Sequence, residues 1–333
     1  MELKDLPKVE LHLHLDCSLS FEVVRHFDPS VTRPFYESHF KAPAKCVDLP
    51  DFLARAAQGI RMTQSEAQLY AVTIDLLGQL KKEHVIYAEI RFAPLEHVQQ
   101  GLAPEKVVET VLAALDEGGR LTGIRAGLIL CTLREYPADK SIASARLAVK
   151  YRNHGVSGFD MAGNEADFPI DDHVAGFRLA RDHGIPCTSH AGEARGPESV
   201  RDTLRHFGTV RIGHGVRSIE DPELVEVLAE KGVHLEICPS SNVQINVYDT
   251  LADHPVDQLR RAGVSLGINT DSRTLSNTTL EQEYGLLAGQ FGWGPAEFLQ
   301  CNMYALRAAF LPEAEKARLA EILTKGYGQT GKL

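Results

Sequence analysis

The sequence has no long apolar run. No stretch approaches the roughly 20 apolar residues that a membrane-spanning helix requires, and the first ten residues, MELKDLPKVE, lack the apolar centre of a signal peptide. The six cysteines stand singly, without a C-x-x-C pair. In a chain of 333 residues, scattered cysteines favour reduced thiols. We therefore expect a soluble, cytoplasmic protein with no membrane partner.

A surplus of basic residues is also missing. Lys and Arg number 35 against 45 Asp and Glu, which gives a formal net charge of −10. Because proteins that neutralise phosphates normally carry a basic surplus, we expect no nucleic-acid partner. The composition, 44% hydrophobic and 24% charged, excludes disordered and fibrous classes. A small neutral substrate is compatible with this charge.

Three common catalytic motifs are absent from the sequence: H-E-x-x-H, a phosphate-binding glycine loop and the G-x-S-x-G elbow. The H-x-E sequence at 234–236 matches half of the signature of zinc-dependent base deaminases, but that class also requires P-C-x-x-C. The P-C pair at 186–187 continues as T-S-H and fails this test. The chemistry must therefore be sought in the distribution of single residues.

Two hydrophobic patterns alternate along the chain. Short runs rich in β-branched residues predict eight strands, at 8–14, 85–91, 125–131, 155–161, 186–190, 210–214, 234–238 and 264–269. Apolar residues at helical spacing predict intervening helices at 69–80, 107–115, 142–151, 174–180, 198–206, 221–229 and 256–262. This alternation predicts an α/β fold, a (β/α)8 barrel of the TIM type. An open doubly wound sheet ranks second, because no glycine fingerprint follows the first strand.

Two segments exceed what a minimal barrel needs. The first crossover, about 17–83, is long enough to require extra helices after strand 1, and residues 278–323 add helices at the C-terminus. Within the crossover, LPDFLAR at 49–55 predicts a helix start with Asp51 near the N-cap. Phe52 and Leu53 are then placed to face a pocket. Because no linker or repeat divides the chain, we expect residues 1–333 to form a single domain.

Polar residues stand where four predicted strands end. His12 and His14 end the first strand, His190 the fifth and His214 the sixth, and the eighth runs into Asp271. The carboxyl ends of the strands in a closed barrel converge on one opening. Asp271 alone could instead cap a helix, and a lone histidine is usually structural. The other ten histidines are assigned to such core or surface positions.

Residues two apart on a strand point to the same side, so His12 and His14 should face the barrel interior together. With His190 and Asp271 they form a nitrogen-rich set with one carboxylate. That donor set suits zinc, and iron or another divalent metal is also possible. Zinc with an open position lowers the pKa of water to about 7.

Six short segments together resemble one known family. They are PKVELHLHLD (7–16), GFDMAGNE (158–165), SHAGE (189–193), RIGHG (211–215), CPSSN (238–242) and NTD (269–271). Each is weak alone, but in this order they resemble the adenosine/adenine deaminases of the metal-dependent amidohydrolases. The resemblance covers nearly the whole chain, from the first strand to the eighth.

The resemblance implies one zinc ion per chain, held by His12, His14, His190 and Asp271. It also implies that Asp271 accepts a proton from the activated water and that His214 orients the resulting hydroxide. Glu193 is implied as the acid that protonates ring N1 of a purine while hydroxide adds at C6. That role requires a carboxyl group that is still protonated near neutral pH.

The resemblance also implies substrate contacts. The backbone N–H of Gly163 would contact purine N3, and Asp16 would receive a sugar hydroxyl. Ser272 stands where the family commonly has a second aspartate that contacts purine N7, and Cys17 stands where it commonly has glycine. A serine hydroxyl can still donate to N7.

Binuclear relatives carry a lysine on the fourth strand that bridges their two metals. The fourth strand of this chain has no lysine, which favours one metal.

The activity implied is zinc-dependent hydrolytic deamination of adenosine, and of 2′-deoxyadenosine, to the inosine product and ammonia. The partner implied is a small purine nucleoside, and the enzyme class is a hydrolase of cyclic amidine C–N bonds. The same reaction on adenine or on a modified nucleoside such as aminodeoxyfutalosine is the alternative. A barrel that binds nucleosides without catalysis ranks lower, because every implied metal and acid residue is present.

Overall fold

The computed structural model describes residues 3–328 and contains eight short parallel strands. The strands are β1 (Lys8–His14), β2 (Val85–Phe92), β3 (Arg125–Leu133), β4 (Val156–Ala162), β5 (His190–Ala191), β6 (Arg211–His214), β7 (His234–Ile237) and β8 (Ser265–Ile268). All eight predicted strands are present. The least accurate is the fifth, predicted over 186–190 and observed only at His190–Ala191, next to a single bridge at Cys187.

The strands form a closed ring. They pair in parallel in the orders β1-β2-β3-β4 and β5-β6-β7-β8. A parallel bridge between Phe159 and Cys187 joins β4 to the segment before β5, and another between Leu13 and Asp271 joins β1 to the segment after β8. Backbone hydrogen bonds of 2.8–3.0 Å span the second seam, between His14 and Asp271 and between Asp271 and His12. The predicted (β/α)8 barrel is confirmed.

Helices cover the outside of the ring. Those before β2 are Phe21–Phe27, Arg33–His39, Leu49–Ala54, Ala57–Arg61 and Glu66–Lys82. Those between β2 and β8 are Pro104–Thr122, Ala138–Tyr151, Val174–Asp182, Pro197–Phe207, Pro222–Lys231, Pro239–Gln244 and Val256–Arg261, and those after β8 are Leu280–Phe291, Pro295–Ala308 and Glu313–Gly328. Short 3-10 turns lie at Leu3–Asp5, Leu15–Cys17, Pro94–His97, Asp171–His173, Val216–Glu220 and Leu251–Asp253. The extra helices predicted after strand 1 and at the C-terminus are therefore present.

The helix predicted at LPDFLAR begins one turn earlier than its supposed cap suggests. The N-cap is Asp48, whose side chain accepts a hydrogen bond from the backbone N–H of Asp51. Asp51 lies in the first helical turn, where its charge favours the helix N-terminus. Proline at the second helical position, Pro50, leaves no unpaired donor there. Phe52 is buried and Leu53 half-buried on the side that faces the barrel mouth.

The barrel interior is charged as well as apolar. Arg91 on β2 and Arg211 on β6 are completely buried and share the carboxylate of Glu236 on β7, at 2.6 Å and 2.7 Å. Arg91 also pairs with Asp160 on β4 at 2.9 Å, and Arg211 pairs with Glu89 on β2 at 2.6 Å. Buried charges need such partners, because each would be costly to bury alone. The network connects strands that are not neighbours in the ring.

A membrane-spanning element is not found among the helices of residues 3–328, since none combines the necessary length and apolarity. All six cysteines are free thiols, and all but Cys17 are buried.

Candidate active site

A cavity of about 180 Å³ opens at the carboxyl ends of the strands. Its walls contain His14, Asp16, Cys17, Phe52, Leu53, Gly163, His190, Glu193, His214, Asp271 and Ser272, together with apolar residues and two further glutamates. Of the site residues predicted from the sequence, only His12 is absent from this wall, and it lies directly beneath it. A larger groove of about 920 Å³ opens on the opposite face, and no predicted site residue lines it.

Five candidate metal donors meet at the base of the cavity. One donor atom from each of His12, His190, His214 and Asp271 lies within 4.8 Å of the others. His14 Nε2 lies 3.4 Å from Asp271 Oδ1 and 3.3 Å from His190 Nε2. The residues come from the ends of β1, β5, β6 and the segment after β8, so the closed ring assembles them.

The donors fit a divalent cation. His12 Nε2 is buried and has no hydrogen-bond partner, which is costly unless an ion occupies the space. Burial lowers the pKa of His14 to about 3 and also lowers the pKa of His190, so both rings are neutral at neutral pH. Two neutral imidazole nitrogens 3.3 Å apart, beside the Asp271 carboxylate, are suited to share a cation.

Buried carboxylates contact two of the imidazoles at Nδ1, the ring nitrogen that faces away from the donor cluster. His12 Nδ1 lies 2.9 Å from Glu236 Oε2, and His190 Nδ1 lies 3.2 Å from Asp160 Oδ2. A carboxylate can only accept there, so each Nδ1 carries a proton and each Nε2 faces the cluster. Arg91 bridges both carboxylates. The sequence alone does not assign Glu236, Asp160 or Arg91 to this site, because only the closed barrel brings these residues under the histidines.

His214 and Asp271 share an unusual backbone conformation. Their φ angles are +60° and +61°, in the left-handed region that residues other than glycine seldom adopt. Such strain persists where the surroundings fix it, and it often marks functional sites. Asp271 does not cap a helix, since Thr279 caps the following one. Instead, Asp271 Oδ2 accepts a 2.6 Å hydrogen bond from the Ser241 hydroxyl.

Glu193 lies in the wall opposite these donors and is only 4% exposed. Burial raises the pKa of its carboxyl group well above the ordinary value, and the negative charges of Asp271 and Glu165 raise it further. The amide of Asn242 donates to Glu193 Oε1 at 3.1 Å, and His214 Nδ1 lies 3.2 Å from the same oxygen. Glu193 therefore has the surroundings that keep a carboxylic acid protonated at neutral pH.

The loop that carries Glu193 is held by another carboxylate. Glu165 follows β4, is 1% exposed and accepts hydrogen bonds from four consecutive backbone N–H groups, residues 192 to 195, at 2.7–3.1 Å. The hydroxyl of Ser199 donates to it as well. Sequence analysis matched Glu165 within a motif but assigned it no role, because backbone contacts leave no residue pattern.

A short chain of hydrogen bonds orients Asn242. The backbone N–H of Val256 donates to His254 Nδ1 at 3.2 Å, so His254 carries its proton on Nε2. That Nε2 lies 3.3 Å from Asn242 Oδ1 and can donate to it. The amide nitrogen of Asn242 is thereby turned to Glu193 and His214. From the sequence, His254 was assigned a purely structural role. In the structure it contacts Asn242, which in turn contacts Glu193.

The predicted substrate contacts lie in the same wall. Asp16 Oδ2 is 3.3 Å from His97 Nε2. Burial would raise the pKa of Asp16, but the hydrogen bond and charge of His97 lower it overall. Gly163 has φ +95°, and a Cβ there would collide with Glu135 Oε2 and crowd the backbone of Arg134. Only glycine fits that position.

Relatives of this chain are readily found by comparison with known proteins. The family model described as adenosine deaminase matches residues 7–326. An adenosine deaminase from Clostridium acetobutylicum is 38% identical over 97% of this chain and 98% of its own length.

Two solved structures share the fold. An adenine deaminase from Arthrobacter aurescens superimposes with a TM-score of 0.88 at 24% identity, over 96% of this chain and 98% of that one. A zinc-bound amidohydrolase from Burkholderia ambifaria superimposes with a TM-score of 0.90 at 22% identity, over 98% and 92%. With the family model matching nearly its whole length, the chain belongs to the adenosine deaminase family.

Proposed function

We propose that this protein is a zinc-dependent hydrolase that deaminates adenosine and 2′-deoxyadenosine, releasing ammonia and the 6-oxo nucleoside. One observation carries the proposal: a buried acid, Glu193, faces a cluster of histidine and aspartate donors across a single cavity. The name of the Clostridium acetobutylicum relative supports the same activity. The free thiols of all six cysteines support a cytoplasmic location.

His12, His14, His190 and Asp271 would hold the ion, and His214 lies beside them. Three nitrogen donors and one carboxylate favour zinc over harder divalent ions, which prefer oxygen. When bound, zinc supplies a nucleophile at neutral pH by lowering the pKa of water to about 7. Asp271 would accept the water proton, because its side chain is an unprotonated carboxylate: the hydrogen bond with His12 lowers its pKa despite its burial.

Glu193 supplies a proton to the purine ring. Addition at C6 removes the aromaticity of the purine ring, and the electron pair of the C6–N1 double bond moves to N1, where it must receive a proton. A protonated Glu193 donates to N1 and becomes a carboxylate, which Asn242 then stabilises through its 3.1 Å hydrogen bond. Asn242 and His214 both face this carboxyl group, so the proton leaves in a fixed direction.

The remaining contacts position the substrate. Gly163 offers its backbone N–H to N3, Ser272 its hydroxyl to N7, and Asp16 accepts from a sugar hydroxyl. Phe52 and Leu53 cover the purine from the helix Leu49–Ala54. Adenine has no sugar and would forgo the hydrogen bond to Asp16, which also contacts His97, and this favours nucleosides over the free base.

The test is a substrate panel on zinc-loaded protein. Adenosine, 2′-deoxyadenosine and adenine are compared by loss of the 6-amino chromophore and by ammonia release. We expect the two nucleosides to be turned over with far higher kcat/KM than adenine. A higher kcat/KM for adenine than for the nucleosides would show that the substrate is the free base. No turnover of any of the three compounds at full zinc occupancy would overturn the proposal.

A further inference from the structure

Three carboxylates line the part of the cavity formed by the first three strands. Asp16, Glu96 and Glu135 follow β1, β2 and β3, whereas His190 lies in β5, His214 ends β6 and Asp271 follows β8. Sequence analysis identified Asp16 but not the two glutamates. Among the described residues, no lysine or arginine lines this cavity.

Each carboxylate is fixed by a contact outside the cavity. The Tyr136 hydroxyl donates to Glu96 Oε1 at 2.6 Å, and the backbone N–H of Asn164 donates to Glu135 Oε1 at 2.9 Å. Both glutamates line the cavity, where their carboxylates can meet a ligand. Glu135 Oε2 lies directly against Gly163, one of the proposed purine contacts.

Two arginines lie near this wall but outside the cavity lining. Arg134 is buried and its charge is attracted to that of Glu135, but its hydrogen bonds go to the backbone oxygens of Phe168 and His190, at 2.9 Å and 3.0 Å. Arg55 lies in an adjoining cleft beside Asp16 but pairs with Asp51 at 3.2 Å. His97 Nε2 lies 3.3 Å from Asp16 Oδ2. The sugar side of the cavity is therefore a negatively charged wall.

We propose that Glu96 and Glu135 are specificity-determining residues that select the charge of the substrate, so that the site accepts neutral or cationic 6-aminopurine nucleosides and rejects anionic ones. The inference rests on the proposed function, which places the sugar beside Asp16. Hydroxyl and ammonium groups can donate to the exposed carboxylate oxygens, whereas a carboxylate or phosphate can only repel them.

The effect should be large for substrates that differ only in charge. Like charges placed together at a binding site repel, so the anion should lose on the order of 100-fold in kcat/KM. Because the wall lies at the cavity mouth, added salt should weaken the discrimination. A purely steric rejection would not respond to salt.

The experiment compares three adenosine analogues of similar size at the 5′ position. These are adenosine itself, 5′-amino-5′-deoxyadenosine and adenosine-5′-carboxylic acid, with adenosine 5′-monophosphate as a larger anion. For the unmodified chain we expect a higher kcat/KM for the amine and the alcohol than for the two anions. The ratio of these kcat/KM values should become smaller at high salt.

Variants locate the source of the selection. In Glu96→Gln/Glu135→Gln, the preference for adenosine over the carboxylate analogue should fall about tenfold, because the charges but not the shapes are lost. Glu226→Gln removes an exposed carboxylate on the helix Pro222–Lys231, far from the cavity, and should leave the preference unchanged.

The outcomes separate the inference from the proposed function. Turnover of adenosine with equal kcat/KM for the amine, alcohol and carboxylate analogues would overturn charge selection and leave the deaminase proposal standing. A preference unaltered in the double variant would also overturn the assignment to Glu96 and Glu135. Failure to turn over any analogue would instead count against the deaminase proposal itself.

Discussion

Glu193 is the residue on which the proposed proton transfer depends. Replacement by glutamine keeps the shape and the contact with Asn242 but removes the acidic proton. We expect Glu193→Gln to lower kcat by about 10²- to 10⁴-fold, the usual contribution of a general acid. The zinc content should stay at one per chain, because Glu193 is not among the proposed ligands.

The measurement pairs steady-state kinetics on adenosine with elemental analysis. Glu226→Gln serves as the matched control, since it makes the same chemical change on an exposed helix. A rate for Glu193→Gln near that of the unmodified protein would show that another group protonates the purine.

At the level of single residues, the sequence was informative where chemistry and position coincide. His12, His14, His190, His214 and Asp271 stand at strand ends, so barrel geometry alone predicts that they meet. Asn242 and Glu165 could not be assigned in this way, because their roles depend on which backbone groups and side chains the fold brings to them. Glu96 and Glu135 follow strands as well, but a single glutamate carries no motif.

At the scale of elements, the loop after β5 is the part of the site with the least secondary structure to hold it. Strand β5 has only two residues, and Glu165 binds the four N–H groups that follow. In Glu165→Gln, the side-chain NH2 group would face some of these backbone N–H donors and could not accept their hydrogen bonds. Each buried donor left unsatisfied in this way costs about 1–3 kcal/mol of stability. We expect at least a tenfold loss of kcat, as Glu193 loses its fixed position.

Hydrogen exchange can locate this effect. In Glu165→Gln, the amides of residues 192 to 195 should exchange faster, while zinc content is retained. Glu198→Gln is a control in the same region, because that exposed glutamate accepts the N–H of Gly196 at 3.2 Å and pairs with the side chain of Arg195 at 3.7 Å, but binds none of the N–H groups of residues 192 to 195. Equal protection in both variants would show that Glu165 does not hold the loop.

Element prediction succeeded where periodicity extends over a whole element. The first strand was located to the residue, and the predicted helices agree with the observed ends within four residues, except that the helix predicted at 107–115 continues to Thr122. The fifth strand was misplaced because residues 186–189 pair with β4 at only one bridge, which a hydrophobic run cannot reveal. The N-cap at Asp48 was missed because Asp51 matches the capping preference equally well.

At the scale of the whole molecule, the proposed metal donors lie on both sides of a ring seam. β1 and the segment after β8 meet at a single bridge, between Leu13 and Asp271, beside His12 and His14. An ion bound across this seam should stabilise the folded chain, by about 2.7 kcal/mol at a free concentration 100 times its Kd. We expect chelation to lower Tm and zinc to restore it.

Calorimetry with and without zinc provides the check. His190→Ala should abolish the zinc-dependent rise in Tm, whereas His183→Ala, at an exposed position on the barrel exterior, should retain it. A full rise in Tm for His190→Ala would place the ion elsewhere.

Buried histidines should also make global stability depend on pH. His234 on β7 is 1% exposed, and burial with the nearby charge of Arg211 lowers its pKa from near 6.5 to about 3. Below pH 6.5 the unfolded chain takes up a proton that the folded chain refuses until about pH 3. The free energy of unfolding therefore falls as the pH decreases through this window, by up to about 1.4 kcal/mol per pH unit for this residue.

His234→Gln removes this titration while keeping a polar side chain beside Ser265, which lies 2.9 Å from His234 Nδ1. Urea unfolding between pH 4.5 and 6.5 should then show a shallower loss of stability on acidification than in the unmodified protein. His183→Gln, at an exposed site, should keep the original slope. An identical slope in both variants would mean that His234 is protonated in the folded chain, and that the barrel interior around Arg211 admits a further positive charge.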